Sequence, residues 1–236
     1  MRTVTFYNLG RTNYESTWRL QHALFDGRAG GRIGDTVLIT EHDHVYTIGK
    51  GGDSDHLLAS PEELLGRGAR LFAVDRGGDI TYHGPGQIVC YPILKLDEYY
   101  SDVHRYLRDL EEVVIRTLAG YGIAASRDEG MTGVWRGNEK IAAVGVRVSR
   151  WTTMHGFALN VNTDCSYFDR IIPCGIFHKG VTTMERILRS PQDLAGVAGR
   201  IAASFGDVFG AQILPGDPGE LQDGAGLSFL EHAVTP

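Results

Sequence analysis

Cysteine is scarce in this chain. There are three among 236 residues, Cys90, Cys165 and Cys174, and none has CxxC spacing. An odd number without that spacing argues against a disulfide framework and against a structural zinc site, and it fits a cytoplasmic protein with free thiols. Long apolar runs are missing too. No uninterrupted segment approaches the roughly 20 residues needed to span a bilayer, so no membrane is expected as a partner. The opening MRTVTFYNLG has no apolar centre of the kind a signal peptide needs and reads as a first strand. A basic excess is also absent. The formal net charge of −6 argues against broad nucleic-acid binding, although a local positive patch can sit inside an acidic average. No period of 20–50 residues recurs, which excludes a solenoid.

What is present is the ordinary mixture of a globular protein: 42% hydrophobic and 22% charged residues, enough to build a sizeable core. Segments 3–8 and 36–40 read as strands. Between them Tyr14, Trp18, Gln21 and Phe25 keep helical spacing, which predicts an amphipathic helix over 13–26. Ser60-Pro61 resembles a helix start, with Ser60 as the cap. LFAVD (71–75) reads as a short buried strand and QIVCYPILKL (87–96) as a longer one. The clearest helix lies within 101–119, where Val103, Leu107, Leu110, Val114 and Leu118 form one face. Residues 133–148 predict two strands joined at Gly137-Asn138, and 155–161 continue the sheet. A last helix is expected from Ser190-Pro191 to about Phe209. The stretch PGDPGELQDGAG then turns rich in proline, glycine and acid, so 1–214 are expected as one α/β domain and 215–236 as a flexible tail.

Three features carry candidate chemistry. In DRGGDITYHGPGQ (75–87) two glycine clusters flank an alternating segment that ends in His83. It matches neither GxxxxGK[ST] nor GxGxxG, and it reads equally as a hairpin with glycine turns or as a surface against which a thin substrate lies. Lys140 is one of only four lysines, against nineteen arginines, and it opens the small-residue strand KIAAVGV. Taken alone, it is more often a solvated strand-edge residue. Unlike arginine, though, a partly buried lysine can exchange protons. Cys174 sits between Pro173 and Gly175, where neither helix nor strand is comfortable. Taken alone, a cysteine is more often an inert buried residue, and reactivity requires a nearby cation, histidine or helix N-terminus. Lys140, His83, His155, His178 and Lys179 are the candidates in sequence.

Together, RGGDITYHGPGQ (76–87), KIAAVGVRV (140–148), MHGFALN (154–160) and IIPCGIFHKGVTT (171–183) resemble the lipoyl(octanoyl) transferase family of lipoate synthesis, in the family's order and across roughly residues 3–210. The resemblance implies a single α/β domain of the biotin/lipoate protein ligase catalytic type, with a central mixed sheet flanked by helices. It implies an octanoyltransferase with a Cys/Lys dyad, in which Cys174 becomes an acyl thioester and Lys140 lowers its pKa and relays protons. The acyl chain would lie against Arg76, Gly77, Gly78, Asp79, Ile80, Thr81, Tyr82 and His83, then Ala143, Val144 and Gly145, then Gly156, Phe157 and Ala158. The donor would be octanoyl-acyl carrier protein. The acceptors would be lipoyl domains of 2-oxoacid dehydrogenase complexes and the glycine cleavage H protein. No cofactor and no metal is implied.

The departures from the family pattern are modest. Asp43 and His44 stand where the family often carries proline, and neither His42 nor His44 is given a catalytic role. Met154 stands where threonine is common, and Cys90 is not a family cysteine. Arg76, Arg147, Arg150 and Arg170 are expected to supply local positive surface for acidic carrier domains. The competing expectations are an ATP-dependent lipoate or biotin ligase on the same fold, which would not need Cys174, and a non-catalytic module that binds carrier domains. A cysteine protease is disfavoured by a lysine where histidine would be required.

Overall fold

The computed structural model of the chain describes residues 2–172 and 179–221. β1 (Arg2–Thr12) leads into α1 (Tyr14–Ala29), whose first turn is capped by Asn13 accepting from the Ser16 amide. β2 (Asp35–His42), β3 (Val45–Ile48), α2 (Pro61–Gly66), β4 (Arg70–Ala73), β5 (Ile80–His83) and β6 (Gln87–Ile93) follow. The second half contains α3 (Val103–Ala119), β7 (Ser126–Asp128), β8 (Met131–Arg136), β9 (Glu139–Ser149) and β10 (Thr152–Asn160). It ends with β11 (Gly180–Val181), α4 (Met184–Leu188), α5 (Leu194–Phe209) and β12 (Ala211–Pro215).

Among the described residues, one mixed sheet runs β12-β1-β2-β6-β10-β9-β8-β7, with β11 added in parallel to β9. The β12–β1 and β1–β2 pairs are parallel, and from β2 through β6, β10, β9, β8 and β7 every pair is antiparallel. Helices cover both faces. Val37 and Ile39 of β2 and Ile88 and Cys90 of β6 pack with Leu110 and Val114 of α3 and Ile201 and Phe205 of α5. The alternate residues Leu38, Val89 and Tyr91 pack with Leu20 and Leu24 of α1. A strand buried on both faces has no polar side to show, which is why TVLIT and QIVCYPI read as unbroken apolar runs. The architecture is the expected one, a mixed sheet with helices packed around it. None of the described helices is long and apolar enough to cross a membrane.

Local expectations fare unevenly. Ser60 caps α2 by accepting from Glu63 N, and Gly137-Asn138 form the two-residue turn between β8 and β9, with Gly137 at φ 59°. The 71–75 segment is not a buried strand. β4 is the edge of a second, three-stranded sheet, β4-β3-β5, and Leu71 is 42% exposed. The hairpin alternative for the glycine block also fails, because β5 pairs with β3, far upstream, and not with an adjacent segment. α5 begins later than Ser190-Pro191, where the Asp193 carboxylate accepts from the Ala195 and Gly196 amides. Beyond 214 the chain stays docked for several residues: Gly216 N donates to Phe6 O at 2.8 Å, and Leu221 is buried against the α1 side of the sheet. Residues 222–236 lie outside the described residues.

Candidate active site

β5, β9 and β10 and the loop before β5 wall a cavity of about 620 Å³, within the range typical of small-molecule sites. The 75–79 loop is fixed by backbone and side-chain bonds. Lys50 N donates to Arg76 O and Gly51 N to Gly78 O, while Gly77 N donates to Val146 O on β9 at 2.9 Å. The Arg76 guanidinium is buried and donates to Thr47 O and Oγ1 at 2.7 and 2.8 Å. A Cβ on Gly145 would come within 2.9 Å of Gly77 O, and one on Gly156 within 2.2 Å of Cys90 O. Both glycines are therefore needed for backbone to approach backbone, which brings the walls together as well as keeping them free of side chains.

Of the predicted pocket residues, Arg76 through Thr81, His83, Ala143 through Gly145 and Gly156 through Ala158 all line this cavity, and Lys140 lines it too. Tyr82 does not. Alternation along β5 turns its ring the opposite way from Thr81 and His83, into a cluster with Tyr46, Tyr167 and Phe168, and its hydroxyl meets His44 Nδ1 at 2.7 Å. Sequence reasoning missed Tyr14, Tyr91, Met131 and Phe168, which also line the wall. Val103 and Leu107 also line the cavity. They belong to the apolar stripe of α3, but they are only half-buried, whereas Leu110, Val114 and Leu118 are fully buried. A stripe that loosens at one end was the signal available, and periodicity does not distinguish core from cavity wall.

The histidines at the site are held neutral or paired. His83 Nδ1–H donates to Gln87 Oε1 at 2.8 Å, and Gln87 Nε2 donates to Asn160 Oδ1 at 2.9 Å. Burial, reinforced by His42, pushes the His83 pKa down to about 3, so this ring is a neutral wall group at pH 7. Burial takes His42 down to about 4, with the ring bonded to Tyr91 Oη at 2.7 Å and Thr12 O at 3.2 Å. His155 sits in β10 at φ 58°, a left-handed conformation that costs energy for a non-glycine residue. Its amide donates to Gln21 Oε1 at 3.1 Å and its Nε2 meets Asp75 Oδ1 at 2.8 Å. Burial alone would raise the Asp75 carboxyl, but the His155 hydrogen bond and the charges of His155, Arg147 and His22 outweigh it and hold it well below the usual carboxylate range. Asp79 accepts from His56 Nδ1 at 2.5 Å and from Asp53 N at 3.3 Å.

Lys140 stands on β9 opposite Trp135 of β8 and Val181 of β11. Its Nζ lies 4.7 Å from the Trp135 ring centroid. Cys174 and His178 lie outside the described residues, but both ends of their segment are anchored. Ile172 N donates to His56 O at 2.8 Å, Gly180 N donates to Asn138 O at 3.1 Å, and Thr182 N donates to Lys140 O at 3.0 Å. Ile172 and Lys179 also line a second cavity, of about 910 Å³, which shares Phe168 and Val181 with the first. The expected basic surface does not take the form foreseen. Arg147, Arg150 and Arg170 pair with Asp75, Asp26 and Glu63 at 2.5, 3.2 and 2.5 Å, and Arg76 is buried. Arg76 is thereby withdrawn from the surface, and the other three are paired with carboxylates, Arg150 at an exposed site.

The model of the lipoyl protein ligase A/B catalytic domain matches residues 13–206. An octanoyltransferase of Chloroflexus aurantiacus is 50% identical over 212 residues, covering 89% of this chain and 95% of its own. One from Rubrobacter xylanophilus is 52% identical over 212 residues, covering 89% and 92%. Among solved structures, a bi-partite lipoate protein ligase from the archaeal lipoylation system of Thermoplasma acidophilum, described with its E2 lipoyl domain, superposes with a TM-score of 0.73. It covers 97% of this chain and 92% of its own at 14% identity, which speaks for the fold alone. A family match over most of the sequence, relatives at half identity that are transferases, and the same mixed sheet place this enzyme, an acyltransferase, in the lipoyl protein ligase A/B catalytic-domain family.

Proposed function

We propose that this enzyme moves an octanoyl group from octanoyl-acyl carrier protein to a lysine of a lipoyl domain, by way of a thioester on Cys174. The observation that carries the reading is the cavity itself. One space takes in Lys140, the small-residue walls of β9 and β10 and the glycine loop before β5. Its apolar lining suits a straight chain: burying six methylenes and a methyl at about 0.8 kcal/mol each contributes about 6 kcal/mol of binding. The wall side chains are Ala143, Val144, Phe157 and Ala158, with Val103 and Leu107 from α3.

In the first half-reaction the Cys174 thiolate attacks the donor thioester carbonyl, the carbon–sulfur bond to the carrier breaks, and the departing thiolate takes a proton from the Lys140 ammonium. In the second, the neutral amine of the acceptor lysine attacks the acyl-enzyme. An amide forms, Cys174 leaves as thiolate, and the amine proton passes to Lys140. Thioester exchange is nearly isoenergetic and amide formation is downhill, so ATP is not consumed. His83 takes no proton in this scheme, because burial keeps it neutral down to about pH 3. The lipoyl domains of 2-oxoacid dehydrogenase complexes and the glycine cleavage H protein are the acceptors in this reading. The lipoyl domain studied with the fold's Thermoplasma relative is consistent with that class.

Intact mass spectrometry after mixing with octanoyl-acyl carrier protein, without ATP, is the test. The wild-type chain should gain one octanoyl group that hydroxylamine removes, and Cys174→Ala should gain none while keeping its melting temperature. Active wild-type enzyme that shows no adduct would overturn the covalent path, and transfer that stops when ATP is withheld would favour a ligase. Lys140→Ala should slow acylation about 100-fold, the scale of acid–base assistance, with its pH profile moved toward an ordinary thiol near pKa ~8.5.

A further inference from the structure

The cross-strand partner of Lys140 is Trp135, and three separate observations converge on this pair. Trp135 is buried, 2% exposed, although it is the largest side chain the protein encloses. Its ring faces two ammonium groups: Lys140 Nζ at 4.7 Å and Lys179 Nζ at 4.6 Å from the centroid, with Lys179 also bonded to Asp128. Lysines are few in this chain, four in all, so half of them meet on one indole. The strand beneath is shaped to fit. Gly133 sits at φ 129°, where a Cβ would strike Ala142 O at 2.8 Å and press on Lys140 Cε at 3.4 Å. Its amide is held by the fully buried Glu111 carboxylate at 2.9 Å. A helix carboxylate therefore fixes a glycine that only a bare backbone can occupy, beside the stem of Lys140. A register shift between Val134 and Trp135 follows directly.

We infer that Trp135 is the positioning residue of Lys140. Its face fixes the ammonium at the cavity wall, and Lys179, itself paired with Asp128, packs on the same ring. The inference rests on the proton-transfer role proposed for Lys140. The physical reason is that an ammonium on a four-carbon stem carries large rotamer freedom. An aromatic face within about 6 Å attracts a cation, more strongly where water is excluded, and indole is the best of the three rings. A lysine that only solvated a strand edge would need neither the indole nor the glycine.

The lysine scarcity makes the test direct. In uniformly 13C-lysine-labelled protein only four ε-CH2 signals exist. Two of them should be displaced upfield by the indole, and Trp135→Leu should return both toward the ordinary position. In acyl-loading kinetics with octanoyl-acyl carrier protein, Trp135→Leu should lose at least tenfold in rate and shift its pH profile in the same sense as Lys140→Ala. Trp135→Phe keeps a weaker face and should fall between the two. The double variant Trp135→Leu/Lys140→Ala should be no slower than Lys140→Ala alone, because residues acting through one another are not additive. If Trp135→Leu fails to fold by circular dichroism, the Phe variant and Lys179→Met carry the same comparison, with Lys179→Met losing one displaced signal. The inference is overturned if no ε-CH2 signal is displaced in the wild type. It is also overturned if the signals return in a folded variant whose rate and pH profile stay unchanged, or if the double variant multiplies the two deficits. Should Lys140→Ala itself load at the wild-type rate, the proposed role of Lys140 fails, and that result is separate because the variant leaves Trp135 intact.

Discussion

Asp35 and Asp75 are both carboxylates that gather several donors, yet they serve different purposes. Asp35, at the start of β2, is almost enclosed, with its side chain 5% exposed. It takes Arg28 Nε at 2.7 Å, Lys95 N at 2.9 Å and Tyr99 Oη at 2.8 Å, and Glu98 completes the pairing of Arg28 at 2.6 Å. Asp75 is 23% exposed and takes His155 and Arg147, with His22 further off at 3.8 Å. The first network ties α1, β2 and the chain after β6 together and touches no cavity-lining residue. The second joins the loop that carries Arg76 to a strained residue of β10, and His155 lines the cavity. Similar chemistry therefore has two uses: one cluster holds the fold, the other holds the site's wall.

Breaking the fold-holding cluster should have the largest effect. Asp35→Ala leaves the buried Arg28 charge short of a partner and strands two further donors, so a loss of about 3–5 kcal/mol is expected in urea denaturation, with the acyl-loading rate of the folded fraction unchanged. Next comes acid. His42 and His83 have folded pKa values lowered to about 4 and about 3, so their contribution is fully present above the unfolded value near 6.5 and is lost as pH falls from there toward the folded values. For His42 that is on the order of 3 kcal/mol, and His42→Gln should flatten the melting-temperature decline between pH 6.5 and 4. Asp75 acts in the same direction over a lower pH window. Its depressed carboxyl stabilises above the ordinary value near 4, and that stabilisation is lost only on further acidification.

A sharper contrast with Asp35→Ala is Asp75→Asn. It should raise the KM for the octanoyl donor several-fold while shifting stability by only about 1 kcal/mol, because Asp75 is partly solvated. If both aspartate variants lost stability equally and neither altered KM, the division between holding the fold and holding the site would collapse. Smallest of all, Tyr82→Phe should cost about 1 kcal/mol through its lost hydrogen bond to His44 and leave acyl loading unchanged. A clear loading defect there would return Tyr82 to the pocket.

The elements most legible from residues alone were those with a strong period or a marked end: the α3 stripe, the capped α2, and the Gly137-Asn138 turn. β3 and β5 were harder, since four-residue strands in a small side sheet carry too few residues for a period, and their pairing spans some 35 positions. β4 misled because LFAV is apolar enough for a core strand, while its edge position leaves Leu71 in solvent. The pocket residues came from contiguous sequence blocks, and a block cannot report that alternate residues of a strand face opposite ways. Tyr82 is the consequence.

Local chemistry in the sequence determined the helices, most of the long strands, the small-residue and glycine blocks that wall the cavity, and the family to which they belong. Only the folded chain decided which distant groups meet. Trp135 faces Lys140 because of a two-strand register, and Asp75 reaches His155 across 80 positions. Gly156 is required because a carbonyl of β6 lies 2.2 Å from where its Cβ would be. The physical reason is the same in each case. Propensity and periodicity act over a few residues, whereas contacts of a few ångströms between remote strands are set by pairing and packing, which no short stretch of chain encodes.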